Sequence, residues 1–236
     1  MHSQSRDFKS NVSKAVADKT LQQSLFTVKK GLVNNRYNAV KVISDFELLR
    51  EKAKQIKQHT LSNLDSYLEE FEKNFTAKGG QLHWARDAAE ARQIVIDICK
   101  RHDAKNVAKG KSMAGEEIGV NDALNEAGIE AIETDLGEYI VQLANEPPSH
   151  IIVPCVHKTL PQIVKLFSEN HKKYGYEEEL SQAADLVAEA RKVMRQKFLN
   201  ADIGMTGANF LVAETGTSVL VTNEGRKTAY ECAVEA

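Results

Sequence analysis

Cysteine is scarce. Cys99, Cys155 and Cys232 are the three in 236 residues, and no two of them stand as Cys-x-x-Cys. That spacing supplies neither a zinc ligand set nor the thiolates of an iron–sulfur cluster within the chain. A sparse, odd set suits a reducing compartment. Long apolar runs are also missing. No stretch approaches the roughly 18 consecutive apolar residues of a membrane span. The N-terminal stretch MHSQSRDFKSNVSKAVADK lacks the apolar core of a secretory signal, so the expected address is cytoplasmic. An excess of one charge sign is absent as well. The formal net charge is -2, which excludes a strong general pull toward nucleic acid or an anionic membrane.

What is present is a hydrophobic fraction of 42%, enough for one large α/β domain or for one domain with an appended helical piece. The first part has helical periodicity. DFKSNVSKAVADKTLQQSLFTVKKGL and the longer ISDFELLREKAKQIKQHTLSNLDSYLEEFEKNFTAKGG carry apolar residues at helical intervals, and Gly79 and Gly80 stop the second. Beyond them, strand and helix candidates alternate. QLHWA, KNVAKG, IEAIET and HIIVPCV are expected as strands. DAAEARQIVIDICKRHD, GEEIGVNDALNEAG, LGEYIVQLA and LPQIVKLFSENH are expected as helices. Alternation with short loops reads as βαβ units and a parallel sheet. After another long helix, EEELSQAADLVAEARKVMRQKFLNA, come DIGMTG, NFLVA and TSVLVTN, three β-rich pieces without helices between them. They suggest antiparallel or mixed strands at the sheet's end. The expected division is a helical extension over residues 1–78 packed on an α/β domain over 79–236.

Polar groups collect in four places. In AKGKSMAGEE, Lys109, Lys111 and Ser112 occupy a strand-to-helix turn. Helix-start N–H groups beside an ammonium can receive an anion, although Ser112 can equally cap the helix. In ETDLGEYIVQL, Asp135 and Glu138 have capping-box spacing, which Asp135 can fulfil without any ligand. In PPSHIIVPCVHKTLPQ, Thr159 and Gln162 have that spacing again. His157 and Lys158 then fall at the carboxyl edge of an expected parallel strand, where open α/β sheets bind ligands; His150 falls at the other end. Last comes TGANFLVAETGTSVLVTNEG. Two apolar runs, read as strands buried on both faces, flank Glu214-Thr215-Gly216 in a hairpin loop. As a turn residue Glu is unusual, and partial desolvation would raise its pKa. Thr206, Gly207 and Asn209 lie just upstream, Gly207 allowing close backbone approach to a ligand.

Two blocks, GKSMAGEEIGVNDALNEAGIEAIETDLGEYIVQLANEPPSHIIVPCVHKT and ADIGMTGANFLVAETGTSVLVTNEG, closely resemble the lactate-utilisation (LUD) domain family, and within it the LutB-type iron–sulfur proteins. The resemblance runs from about residue 10 to residue 225. It implies a three-layer αβα fold with a largely parallel sheet, like that of glucosamine-phosphate deaminase, ribose-phosphate isomerase and coenzyme A transferase. It implies a part in oxidising L-lactate to pyruvate, in a complex with two partner proteins, rather than a complete enzyme. Full-length members carry two [4Fe–4S] clusters in a separate C-terminal domain. This chain stops after RKTAYECAVEA, so it is expected to lack that module and its electron transfer. The polar loops make Lys111, Ser112, Asp135, His157, Lys158, Thr206, Gly207, Asn209, Thr215 and Gly216 candidates for binding a small carboxylate, and Glu214 is a candidate catalytic group. Coenzyme A transferases place a nucleophilic glutamate in a similar Glu-x-Gly setting, which would form an acyl anhydride and then a thioester. The alternatives are such an acyl transferase and a non-catalytic assembly domain. A homo-oligomer is open.

Overall fold

The computed structural model describes residues 5–150, 153–176 and 180–221. They form two compact units, one of residues 5–25 and Ala85–Gly207, the other of Phe26–Trp84 and Ala208–Val221.

The first unit is α/β. Strands β1 (Asn106–Lys109), β2 (Glu130–Glu133) and β3 (Ile203–Met205) make a parallel sheet in the order β2-β1-β3. Alternate side chains point to opposite faces. Val107 and Ala131 pack with Cys99 of α6 (Ala88–Arg101) and with Val120 and Leu124 of α8 (Val120–Glu126). Ala108 and Ile132 are buried on the opposite face. A second core joins α9 (Leu136–Leu143), α10 (Leu160–His171) and α11 (Ala183–Leu199) through Tyr139, Ile140, Phe167, Leu186, Ala190 and Val193. Helices therefore flank a parallel sheet, as the alternating pattern predicts. Caps fix where they start. Asp87 accepts from the Glu90 N–H at 2.9 Å, and the Gln162 side chain accepts from the Thr159 N–H at 2.8 Å.

The second unit holds α3 (Asn34–Lys41), α4 (Phe46–Ser62), α5 (Leu64–Ala77) and an antiparallel hairpin of β4 (Phe210–Val212) and β5 (Thr217–Val219). Helices α1 (Phe8–Ala17) and α2 (Lys19–Val28) precede it in the chain.

Several expectations need correction. The long helix is two, because Asn63 leaves helical geometry at φ -129° and its side chain bonds back to the His59 carbonyl. GEEIGVNDALNEAG also breaks in two, at Gly119 in the left-handed region, giving α7 (Met113–Ile118) and α8. QLHWA is irregular rather than a strand. In HIIVPCV, Ile151 and Ile152 lie outside the described residues, and 154–157 form a turn closed by the Val156 N–H to the Val153 carbonyl. The place of the third parallel strand is taken by β3, from DIGMTG. The sheet therefore does not end in antiparallel strands, and β4 and β5 pair only with each other. These two strands are also not buried: Phe210 is 63% exposed and Leu211 49%.

Candidate functional site

At the carboxyl ends of β1 and β2 the apolar pattern stops at two charged residues in register, Lys109 and Glu133. Both are buried, at 1% and 2% exposure. The Lys109 ammonium lies 2.8 Å from Glu133 Oε1 and 3.2 Å from Glu116 Oε1 of α7. Burial works against its charge, but the two carboxylates outweigh burial and hold its pKa above the ordinary lysine value. Burial pushes Glu133 upward against the pull of Lys109. The side-chain amide of Asn121 donates to Glu133 Oε1 at 2.6 Å. Thr134 closes the strand end, donating through its N–H and its hydroxyl to the Lys109 carbonyl.

One turn further on, Lys111 donates to Glu138 Oε1 at 2.8 Å. Asp135 caps α9 by accepting from the Gly137 N–H at 2.9 Å. The expected capping box is only half formed, because Glu138 turns its carboxyl to Lys111. Burial and the hydrogen bond shared with Asp135 push Glu138 up to about 8, against the pull of Lys111. Burial acts upward on Asp135 too, but the hydrogen bond from Glu138, the Lys111 charge and backbone N–H groups prevail and hold it below the ordinary range. Pro154 packs over this corner; a Cβ on Gly137 would come within 3.0 Å of its ring.

These two clusters border one cavity of about 340 Å³, whose lining includes Glu116, Asn121, Asp122, Glu133, Glu138 and Glu146. Three buried oxygens on that lining have no hydrogen-bond partner: Asn121 Oδ1, Glu133 Oε2 and Glu138 Oε2. The loop after α9 closes in on Glu146. His157 meets Glu146 Oε2 at 2.8 Å through Nε2 and the Ser149 hydroxyl at 2.7 Å through Nδ1, and Lys158 bonds the other Glu146 oxygen. The Lys158 hydrogen bond, with His157 adding to it, holds the Glu146 carboxyl below the ordinary range despite some burial.

The remaining candidates divide by unit. Ser112 Oγ accepts from the Gly115 N–H, so it does cap α7. Gly207 belongs to the same unit and approaches Ser112 itself; a Cβ there would sit 3.2 Å from Ser112 Oγ. Thr206 is exposed beside it. Asn209, Glu214, Thr215 and Gly216 belong to the second unit. There the turn is fastened by backbone. Asn74 of α5 donates to the carbonyls of Ala213 and Glu214 at 2.9 and 3.1 Å, and Lys78 donates to that of Thr215 at 2.6 Å. Gly216 takes a left-handed φ of 62°, with its Cα facing the α5 backbone so closely that a Cβ would meet Phe75 N at 2.4 Å. The Glu214 side chain is exposed, contrary to the partial desolvation expected of a turn between buried strands. Asn209 Oδ1 accepts from the Val221 N–H.

Glu133, Glu116, Asn121 and Glu146 were not among the sequence candidates, and Lys109 and Glu138 were weighed there only as loop and cap residues. A signal for the central pair existed: NVAK and EAIE each end an apolar strand on a charge, and the charges are opposite. Their pairing needs the register, which no single segment displays.

An α/β unit with polar groups gathered at the ends of parallel strands is a ligand-site architecture of open sheets. The LUD domain description matches residues 68–231, and the chain belongs to the LUD-domain family. It is 42% identical over 220 residues, 93% of its length, to "Lactate utilization protein B" of Bacillus cereus (strain B4264), covering 46% of that protein. It is equally similar over the same share to "Lactate utilization protein B" of Bacillus thuringiensis (strain Al Hakam). The "Uncharacterized electron transport protein YkgF" of Escherichia coli (strain K12) is also 42% identical over 220 residues, with 45% of it covered. The chain spans about half the length of the curated relatives it matches. No solved structure matches it. Among the described residues no helix is long and apolar enough to cross a membrane.

Proposed function

We propose that the chain serves the oxidation of L-lactate to pyruvate as the LUD-domain component of a complex with partner proteins, rather than as a whole oxidoreductase. The observation behind this reading is the 42% identity to lactate utilization protein B across 93% of the chain. Redox chemistry is assigned to other parts of the complex. Among the described residues no three His, Cys, Asp or Glu side chains are grouped to hold a metal ion, Cys99 is buried in the core, and Cys232 lies outside the described residues. The ligand site of the component is the cavity beyond β1 and β2, lined by Glu138, which Lys111 and Asp135 hold from behind, and by Glu146, which His157 and Lys158 hold. A small carboxylate is the weaker part of the reading. Lys109 and Lys111 are already paired with carboxylates, and a lactate anion would have to displace Glu138 to reach Lys111.

Deletion of the gene in its source organism tests the role. The expected result is loss of growth on L-lactate with growth on pyruvate intact, together with retention of partner proteins by a tagged chain. Undiminished growth on L-lactate overturns it. Acyl transfer by Glu214 is a separate reading that rests on the Glu-Thr-Gly turn.

A further inference from the structure

We propose that the cavity at the carboxyl ends of β1 and β2 binds a small molecule carrying a primary ammonium group. This goes beyond the lactate role and stands or falls independently of it.

The inference rests on what the cavity offers and what it lacks. Glu133 and Glu138 are 2% and 5% exposed, and each presents one oxygen without a hydrogen-bond partner. Asn121 Oδ1 is a third such oxygen, because its amide nitrogen is spent on Glu133 Oε1. A buried oxygen without a donor is costly, and a carboxylate oxygen more so than an amide one. Three acceptors on one lining ask for three donors, and a primary ammonium carries three N–H groups. Charge points the same way. The lining adds Glu116, Asp122 and Glu146 and, among the described residues, includes no lysine, arginine or histidine. The buried cation beneath, Lys109, is shared between Glu116 and Glu133 and leaves one negative charge uncompensated. A carboxylate ligand would add to that charge, whereas an ammonium would balance it. A metal ion does not suit the same groups, since the described residues include no cluster of three ligands arranged for one. A proton is the competing occupant, because burial pushes Glu133 and Glu138 upward. It supplies a single donor to a single carboxyl and leaves the other oxygens unserved. At about 340 Å³ the cavity lies at the small end of ligand pockets, which limits the guest to a compact amine.

Calorimetric titration of the full chain with ethanolamine and putrescine tests the proposal, with tetramethylammonium and L-lactate as controls. The expected result is saturable binding of a primary ammonium probe. Tetramethylammonium, which has the charge but no N–H, should bind about tenfold more weakly or not at all, and L-lactate should not compete. Glu133→Gln should weaken ammonium binding about tenfold or more. Because Glu133 also holds Lys109, Glu138→Gln serves as a second variant that leaves that pair intact, and circular dichroism confirms that each is folded. Absence of saturable binding by either amine, equal binding of tetramethylammonium, or amine binding unchanged in both variants would overturn the proposal.

Discussion

Two lysines of this chain do opposite work. Lys109, in the α/β unit, is 1% exposed and sits between two carboxylates at 2.8 and 3.2 Å. Lys78, in the helical unit, donates at its exposed surface to the Thr215 carbonyl at 2.6 Å. The first ammonium has lost its water, so its partners must be present for the fold to tolerate it. The second keeps its water and adds little, since an exposed contact gives up as much hydration as it gains. The same contrast separates the two regions as candidate sites. Around β1 and β2, side-chain chemistry is buried and altered by its neighbours. At the hairpin, the backbone is what is held, and the side chains stay in water.

The largest effect is expected at Lys109. Lys109→Met leaves Glu133 buried without its counterion, a loss of about 3 to 5 kcal/mol. Urea unfolding should show it, and Lys78→Met, expected within about 1 kcal/mol, provides the comparison. Combining Lys109→Met with Glu133→Leu should recover much of the loss, because an apolar pair replaces an orphaned charge. Equal costs at Lys109 and Lys78 would abolish the distinction between the buried and the exposed ammonium. Next comes Gly216→Ala. The left-handed φ of 62° and the backbone of Phe75 both stand against a Cβ. The expected loss is about 2 to 4 kcal/mol, read as a lowered melting temperature. A near-neutral result would mean that the hairpin is not seated on α5 as described.

Glu138 sharpens the comparison through pH. Burial and the bond to Asp135 raise its folded value to about 8, above the ordinary 4.5. A raised folded value means that the stability it adds is complete below about 4.5 and is lost as pH rises through about 8. Asp135 is shifted downward, so its contribution is present above the ordinary aspartate range and is lost only at lower pH. The two windows therefore separate. Wild-type stability should fall between pH 5 and 8 relative to Glu138→Gln, by an amount on the order of 2 kcal/mol. Glu133 shifts in the same direction, and the difference between wild type and variant removes its share. Parallel pH profiles for the two proteins would show that Glu138 keeps an ordinary pKa.

Much of the α/β unit was legible because its signals are local. Caps such as Asp135 and Thr159, the strands NVAK and EAIE, and α6, α9 and α10 follow from periodicity and turn chemistry over a few residues. Helix breaks at Asn63 and Gly119 were missed because the apolar stripe continues across them. The hairpin was read correctly as a hairpin but wrongly as buried. A continuous apolar run such as Phe-Leu-Val shows that a strand can be covered, not that anything covers it. The site was legible only in part. Lys111, Asp135, His157 and Lys158 stood out as polar residues in loops. Glu133 and Asn121 became visible only when register and burial placed them around one cavity.

The smallest expected effect decides the most about Glu214. Its side chain is exposed, and the turn it occupies is held through the carbonyls of Ala213, Glu214 and Thr215. Glu214→Gln keeps size and backbone and removes only the charge. Stability should therefore change by no more than about 0.5 kcal/mol in thermal unfolding. Because the fold is indifferent to the substitution, activity becomes a clean readout. Incubation with an acyl-coenzyme A, followed by hydroxylamine trapping and mass spectrometry, would find a modified Glu214 if the residue is a nucleophile. An unmodified Glu214, with lactate-dependent activity of the complex equal in wild type and variant, would leave the residue a turn. A large loss of activity at unchanged stability would move the chemistry from the buried clusters of β1 and β2 to the exposed hairpin.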